Sequence, residues 1–385
     1  MNRADRLVFG GLQTLILLAS LGYLAFSVHR YATIGSVPGS DFSFLWTAAK
    51  IASAEDLRLA YSGELFSLEA VQQQNWEAPE RGNYFSYPPH FLLFLWPLAH
   101  LTYEFGFFLW ALINPLMLAA VVWAVFRRSW YAAGFAVLAP AAFFCLWVGQ
   151  TGILAAALLI GGMALLERRP ILAGILIGLL TFKPMLGVII PFAILAGHHW
   201  RTFISAVLTV GALLLLSIAI YGTEAWIIYF TSVPDRYLGD IAQAKGLISN
   251  LVPTVYMASK LLGFGITVSL VAQALVAAVV LACVIWAFHV RRDLGLSSAL
   301  LFAGSLLVSP LGHVYDMSAV TVAVFLLLKD MVARGERGGE RIIAVFAWML
   351  PFLVFFLNSA GAPVGPLILA LLFGVLLRRL IRLDR

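Results

Sequence analysis

The sequence predicts an all-α membrane protein that crosses the bilayer about twelve times. Hydrophobic residues make up 62% of the 385-residue chain, charged residues make up only 11%, and the mean hydropathy is +0.94. A soluble domain of this size carries roughly 25% charged residues. Apolar runs of about 15 to 23 residues recur along the chain with basic clusters between them, which is the pattern of successive transmembrane helices.

The basic clusters set the orientation of these runs. Lys and Arg collect in cytoplasmic loops, so the spans between two such clusters come in pairs. The clusters are Arg3 and Arg6, Arg127 and Arg128, Arg168 and Arg169, Arg201, Arg291 and Arg292, Lys329 to Arg341, and Arg378 to Arg385. Twelve spans follow, at about 7–29, 104–126, 130–148, 151–166, 171–182, 184–197, 202–221, 266–289, 296–310, 314–329, 341–357 and 364–378.

This arrangement places both termini and most of the 25 Lys and Arg residues on the cytoplasmic side. The first run is interpreted as an uncleaved span, because it is long and lacks the small-x-small exit site of a signal peptide. The net charge of +6 follows from basic loops and indicates no nucleic-acid partner. Cys145 and Cys283 lie inside apolar runs, so no disulfide framework is expected.

Three apolar segments are too short for ordinary spans. The segment "HFLLFLWPLAHL", residues 90–101, has about a dozen residues and contains Pro97. It predicts a re-entrant or interfacial helix. The runs at 171–182 and 184–197 meet at Lys183 and Pro184, and they predict half-helices that are buried in protein.

Two long outer loops are predicted, at about 30–103 and 222–265. The first loop contains helical patterns at 42–54 and 64–76, and apolar positions of the former share one face, as in a helix lying on the membrane. The sequence contains no internal repeat or low-complexity tract. Residues 1–385 therefore form one membrane domain in this interpretation.

Polar residues gather at the outer ends of the predicted spans. These ends carry Asp41, "YPPH" at 87–90, "GQTG" at 149–152, "FKP" at 182–184, "SNLVP" at 249–253 and "SPLGHVYD" at 309–316. Ionisable groups at membrane depth are costly, and they commonly mark substrate paths or sites. Lys183 and His313 each lie between two apolar runs, so the pattern indicates a polar site at the outer leaflet.

Each of these residues also has a purely structural interpretation. Asp41 could cap the helix that it precedes by accepting free backbone N–H groups. Tyr87 precedes two prolines that suit the first turn of a helix. Gln150 could satisfy backbone groups at a helix end, and His313 could be an ordinary interfacial histidine. Lys183 is harder to explain in this way, because a buried ammonium needs an anion or a route to water.

The chain resembles glycosyltransferase family 87. The resemblance rests on Asp41 with the aromatic-rich helix that follows it, and on three further segments. The order and spacing of these four features along the chain carry the resemblance. These segments are "YFSYPPHFLLFLWPLAHL" at 84–101, "GQTGILAAALL" at 149–159 and "RRPILAGILIGLLTFKPMLGVIIPFAIL" at 168–195. The similarity extends from about residue 38 to 201, weakens through 202–300, and returns at Ser309, Pro310 and His313.

The resemblance implies a fold, an activity and a location. Members of this family belong to the GT-C superfamily of multi-span transferases, which have outer-face juxtamembrane helices in the first long loop and use polyprenyl-phosphate sugars. Characterised relatives are α-mannosyltransferases, so mannose is the expected sugar. By this resemblance the protein lies in a bacterial inner or plasma membrane, serves the cell envelope, and has its active site at the outer, periplasmic face.

The resemblance also implies roles for individual residues. The family's catalytic Asp in the first outer loop corresponds to Asp41, which would be the general base of an inverting transfer. Lys183 and His313 would bind the donor phosphate. The residues expected to bind sugar hydroxyls are Tyr87, His90, Gln150 and Asn250. The sequence has no D-x-D pair near Asp41, so no essential metal and no cofactor is expected.

Three other functions remain open at this point. One is a non-catalytic membrane scaffold, which leaves the gathering of polar residues at one side unexplained. A transporter or lipid flippase also has many spans, but it usually places substrate groups near the bilayer midplane and often contains repeats. A lipid-linked glycan ligase or polymerase has long outer loops as well, and it generally relies on arginines and histidines there. The partners expected of the transferase are the polyprenyl-phosphate donor, a lipid or glycan acceptor, and the bilayer.

Overall fold

The computed structural model describes residues 3–34, 39–54, 57–61, 85–243, 246–290 and 293–384, which are helical with short connections and contain no strand. The first nine α-helices are α1 (Arg3–Ile34), α2 (Ser40–Ala54), α3 (Arg58–Tyr61), α4 (Leu92–Leu95), α5 (Tyr103–Val125), α6 (Trp130–Val137), α7 (Pro140–Val148), α8 (Gly152–Leu165) and α9 (Pro170–Leu179). The helices that follow are α10 (Pro184–Gly187), α11 (Ile190–Ala196), α12 (Trp200–Gln243), α13 (Leu247–Asn250), α14 (Val255–Leu261), α15 (Ile266–Val290), α16 (Leu294–Val308), α17 (Ser318–Arg334), α18 (Glu340–Ser359) and α19 (Gly365–Ile381). Short 3₁₀ helices occur at Pro89–Phe91, Trp96–His100, Leu180–Phe182, Val314–Met317 and Arg382–Asp384.

Each of the twelve predicted apolar runs coincides with one or two of these helices. Within the described residues, four helical stretches are long and apolar enough to cross a membrane: Tyr103–Val125, Trp200–Pro234, Ile266–Val290 and Glu340–Ser359. The pair α6 and α7, bent by 54°, would make a fifth. Other apolar helices, such as α8 and α16, are shorter than the roughly 20 residues that span a bilayer core of about 30 Å. The protein is therefore an all-helical membrane protein, and the count of about twelve crossings stays a prediction.

Proline and glycine account for the breaks between helices. Lys183 has a non-helical backbone (φ −123°, ψ 69°) between a 3₁₀ turn and α10, because the residue before a proline is disfavoured in the α region. This break divides the runs at 171–182 and 184–197 into half-helices, as their length predicted. Gly222, at φ 81° and ψ 164°, interrupts α12 within the predicted second outer loop.

The segment at 90–101 forms short helical turns and no continuous span. It consists of the 3₁₀ helices at Pro89–Phe91 and Trp96–His100 with α4 between them. Trp46 of α2 donates a hydrogen bond from Nε1 to the carbonyl oxygen of Leu101 at 3.2 Å. The helix predicted at 42–54 is α2, which therefore packs on this segment, whereas the helix predicted at 64–76 lies outside the described residues.

The two predicted outer loops contact each other. The second half of α12, together with α13 and α14, lies within the second loop. Arg236 of α12 donates a hydrogen bond from Nη1 to the carbonyl oxygen of Tyr61 in α3 at 2.7 Å. The Tyr61 and Tyr229 rings lie 6.1 Å apart. These contacts place both loops at the same end of the helical bundle.

The opposite end of the bundle contains a buried ion cluster. Arg379 of α19 binds Asp330 of α17 through Nη1 and Oδ2 at 2.5 Å, and it also binds Glu340 of α18. Arg378 adds a contact from Nη2 to Oε1 of Glu340 at 2.6 Å. These ion pairs join three consecutive helices. The α17 segment begins just after Asp316, and 14 residues at 1.5 Å each place Asp330 about 20 Å from it along the helix.

Candidate functional site

The turn between α7 and α8 forms the centre of the candidate site. Helix α7 ends at Gly149, whose φ of 75° is left-handed and favours glycine. A Cβ atom on Gly149 would lie 2.5 Å from Cβ of Phe42, and one on Gly152 would lie 2.0 Å from the carbonyl oxygen of Tyr315. The two glycines therefore allow the start of α2 and the segment 314–317 to approach the turn from two sides.

Asp41 lies beside this turn. It is the second residue of α2, and the N–H of Ser43 donates to the carbonyl oxygen of Gly39 at 3.2 Å. The Asp41 carboxylate accepts a hydrogen bond from Nε2 of Gln150 at 2.8 Å and another from the hydroxyl of Ser40 at 3.1 Å. These side-chain contacts differ from the backbone cap that the position of Asp41 in the sequence would also permit.

Gln150 connects Asp41 to Tyr87 and Thr151. The hydroxyl of Tyr87 donates to Oε1 of Gln150 at 2.7 Å, and its oxygen lies 3.0 Å from Oγ1 of Thr151. The backbone N–H of Thr151 also donates to Oε1 of Gln150, at 3.1 Å. Tyr87 and Gln150, both predicted to bind substrate, are thus joined to each other and to the predicted base.

Lys183 extends the same network toward a second carboxylate. Its Nζ donates to Oγ1 of Thr151 at 3.2 Å and forms an ion pair with Oδ1 of Asp316. Lys183 is only 6% exposed and Asp316 only 2%, so each charge has its counterion in a nearly dry environment. This pair supplies the anion that a buried ammonium requires.

His313 lies on the far side of Asp316. Its backbone N–H donates to Oδ2 of Asp316 at 3.1 Å, and its ring stacks on Tyr315 with centroids 4.8 Å apart. The N–H of Val314 donates to the carbonyl oxygen of Leu251 at 2.9 Å. The second of the two predicted outer loops therefore contributes to holding this segment in place.

Burial shifts the pKa values of Asp41 and His313 in opposite directions. Burial raises the pKa of Asp41, and the hydrogen bonds from Gln150 and Ser40, the charge of Lys183 and, when it is protonated, the charge of His313 act against that rise. Burial lowers the pKa of His313 below its ordinary value. A carboxylate with a raised pKa is a stronger base once it has ionised, whereas the histidine favours its neutral form.

Two predicted substrate-binding residues lie outside this network. His90 stacks on Trp226 with ring centroids 5.7 Å apart, and its Nε2 lies 3.4 Å from Oγ1 of Thr181. Asn250 donates from Nδ2 to the hydroxyl of Ser359 at 2.7 Å. Their proposed contacts with sugar hydroxyls stay predictions.

Thr151 and Asp316 are the network members that sequence reasoning missed. Both lie inside motifs that were recognised as polar ends, "GQTG" and "SPLGHVYD". Asp316 follows His313 by three residues and lies two residues before Ser318, where α17 begins. The requirement of Lys183 for a buried anion was a signal that pointed to such a carboxylate.

Comparison with known families assigns the chain. The model of glycosyltransferase family 87 matches residues 85–310, which is more than half of the sequence. The chain belongs to glycosyltransferase family 87. The matched range contains Tyr87, Gln150 and Lys183, whereas Asp41 and His313 lie outside it. The searches of curated proteins and of solved structures found no match.

Family membership gives this glycosyltransferase its reaction class. The apolar helices and the family together make it an integral-membrane glycosyltransferase that acts on a donor and on a lipid or glycan acceptor. The network that joins Asp41, Gln150, Tyr87, Thr151, Lys183 and Asp316 is the candidate active site.

Proposed function

We propose that this glycosyltransferase moves one sugar from a polyprenyl-phosphate donor to an acceptor hydroxyl on a lipid or glycan. The observation that carries the proposal is the continuous hydrogen-bond network between Asp41 and Lys183. One end of the network carries a carboxylate that can take a proton, and the other carries a cation that can hold a phosphate. An inverting transfer needs both functions close together.

Asp41 acts as the general base in this proposal. The acceptor hydroxyl gives its proton to the carboxylate while its oxygen attacks the anomeric carbon, and the bond from that carbon to the phosphate oxygen breaks. The raised pKa of Asp41 suits this role, because a base works best when its pKa lies near the working pH. The donor sugar is mannose, as in the characterised relatives.

Lys183 and His313 bind the phosphate of the donor. Lys183 lies in the break between two half-helices and forms an ion pair with Asp316. As a compact cation, it can share its hydrogen bonds with a phosphate oxygen without losing the anion that stabilises it. The backbone contact of His313 with Asp316 keeps the histidine beside that ion pair.

An apolar cavity supports a lipid-linked donor. It has a volume of about 420 Å³ and lies between α9, α10, α11 and α12. Thr181 and Pro184, on either side of Lys183 in the sequence, line it together with Ile177, Val188 and Phe203. An isoprenoid tail in this cavity would enter from the bilayer near the proposed phosphate site.

The membrane arrangement forms part of the same proposal. It comprises a GT-C-type bundle of about twelve crossings in one domain, 1–385, with both termini cytoplasmic. The active site lies at the outer face of a bacterial inner or plasma membrane. The contact between the two predicted outer loops supports a shared side for Asp41, in the first loop, and for Leu251, in the second, which contacts the segment that carries Asp316.

The test is a transfer assay with purified protein, radiolabelled polyprenyl-phosphate mannose and a membrane lipid extract. We expect a labelled product that carries one added sugar. Transfer of a preassembled glycan would favour a ligase or polymerase. Uptake of label into sealed vesicles without a new covalent product would favour a transporter or flippase, and either result would contradict the proposal.

A further inference from the structure

The side-chain amide of Gln150 has a partner at each of its two ends. Its Nε2 donates to Oδ2 of Asp41 at 2.8 Å. Its Oε1 accepts from the Tyr87 hydroxyl at 2.7 Å and from the backbone N–H of Thr151 at 3.1 Å. The sequence suggests that this amide binds a sugar hydroxyl, whereas in the structure both its nitrogen and its oxygen contact protein groups.

Only one orientation of this amide satisfies its surroundings. Rotation by 180° would direct Oε1 at the Asp41 carboxylate and Nε2 at the backbone N–H of Thr151. Both contacts would then be repulsive, acceptor against acceptor and donor against donor. The backbone of Gln150 is anchored as well, because its carbonyl oxygen accepts hydrogen bonds from Sγ of Cys145 at 3.1 Å and from Nε1 of Trp110 at 3.4 Å.

This orientation makes the two oxygens of Asp41 inequivalent. Oδ2 faces the half-buried amide of Gln150, whereas Oδ1 accepts from the hydroxyl of Ser40, which is exposed. An incoming hydroxyl can replace an exposed serine contact at low cost. A hydroxyl that approached Oδ2 would have to share that oxygen with the Gln150 amide.

We propose that Gln150 is a positioning residue that binds Asp41 rather than the sugar. Its N–H fixes Oδ2 and favours the ionised carboxylate, which leaves Oδ1 to receive the proton of the acceptor hydroxyl. Tyr87 supports this role by holding the amide in its orientation. The inference rests on the proposed role of Asp41 as the base, and it deepens that proposal.

The pH dependence of transfer tests the inference by activity. Gln150→Leu removes the N–H donor, and Gln150→Glu adds a like charge beside the carboxylate. Both changes should move the acidic limb of kcat/KM upward by about one pH unit, with the larger move for the charge. Tyr87→Phe removes one hydrogen bond to the amide oxygen of Gln150 but leaves the amide itself in place. It should therefore raise the acidic limb of kcat/KM by less. A residue that only bound sugar would change KM for the donor and leave the limb where it is.

A titration of Asp41 tests the same contact without relying on activity. Protein labelled with carboxyl-¹³C aspartate gives aspartate signals, and the Asp41 signal is the one missing from Asp41→Asn. The charged or titratable groups that act electrostatically with Asp41 are Lys183, His313, Tyr87 and Tyr103. Gln150→Leu leaves all four in place, so any shift of the Asp41 midpoint reports the lost amide.

The outcomes separate the inference from the proposed function. A midpoint that rises by about one pH unit in Gln150→Leu, and less in Tyr87→Phe, supports the inference. An unchanged midpoint in a folded variant overturns it, even if the wild type transfers sugar normally. If the wild type transfers no sugar, the proposed function fails, while the titration still decides whether Gln150 holds Asp41.

Discussion

At the scale of single residues, the candidate site contains a carboxylate and an ammonium that are linked by hydrogen bonds through neutral side chains. Asp41 and Lys183 are joined through Gln150, Tyr87 and Thr151. The contacting pairs are far apart along the chain: 109 residues separate Asp41 from Gln150, and 133 separate Lys183 from Asp316. Local sequence patterns found most members of the network by residue type, but they carried no information on which members touch. Asp316 was missed as a partner for that reason.

The pKa of Asp41 leads to a prediction about pH. Burial raises this pKa above the ordinary value for an aspartate, and a general base must be ionised to accept a proton. Activity should therefore fall as the pH drops through the raised pKa, at a pH above that expected for an exposed aspartate. The measurement is kcat/KM for transfer across the acidic range at saturating acceptor. A profile that stays flat down to about pH 4, the ordinary aspartate value, would show that Asp41 is not the titrating base.

The Lys183–Asp316 pair leads to a second prediction at this scale. Lys183→Met leaves the buried carboxylate of Asp316 without its cation, which should cost about 3–5 kcal/mol of stability. The double variant Lys183→Met/Asp316→Asn should recover part of that loss, because no unpaired charge remains. Donor binding should be weak in both. Thermal unfolding in detergent and donor affinity are the measurements, and a single variant as stable as the wild type with unchanged affinity would contradict the prediction.

At the scale of structural elements, most helix boundaries followed from the sequence. The run predicted at 104–126 is α5 at Tyr103–Val125, and the run at 266–289 is α15 at Ile266–Val290. Apolar length and flanking charges fix such boundaries because they are local properties. The approach of α2 and the segment 314–317 to the turn at 149–152 depends on tertiary packing. The sequence predicts that these polar segments lie at the same side of the membrane, but it does not predict which of them are in contact.

Gly152 gives a prediction about this packing. A methyl group at Gly152 would lie 2.0 Å from the carbonyl oxygen of Tyr315, so Gly152→Ala must displace the segment that carries Asp316. We expect a loss of stability and of transfer activity. Gly134→Ala is the matched control, because a methyl group there meets no atom within 4 Å and alanine favours a helix interior by about 0.5–1 kcal/mol. Equal thermal stability of the two variants would argue against the close approach.

At the scale of the whole molecule, the two ends of the bundle have different polar chemistry. One end contains the candidate active site, and the other contains the Arg379, Asp330 and Glu340 cluster. Helix α17 connects them, since it begins beside Asp316 and contains Asp330. The sequence predicted basic residues at the second end from the positive-inside pattern. It did not predict that one of these residues, Arg379, is buried in ion pairs with acidic residues of two other helices.

The separation of the two ends leads to a prediction about Arg379. Arg379→Met leaves two buried carboxylates without this cation, and it should lower stability by about 3–5 kcal/mol. The KM for the donor should stay near the wild-type value, because the cluster lies about 20 Å along α17 from Asp316. Arg382→Met, at an exposed position, is the control and should change neither property. A large increase in the donor KM without loss of stability would contradict this division between the two ends.

The central claim is that Asp41 is the base of a sugar transfer, and the most direct test measures transfer and donor binding in the same variant. Asp41→Asn should bind radiolabelled polyprenyl-phosphate mannose about as well as the wild type. Its turnover should be lower by about 10²- to 10⁴-fold, the usual contribution of a general base. Glu104→Gln removes an acid from the first turn of α5 and should transfer normally. If Asp41→Asn turned over at a near-wild-type rate, Asp41 would not be the base.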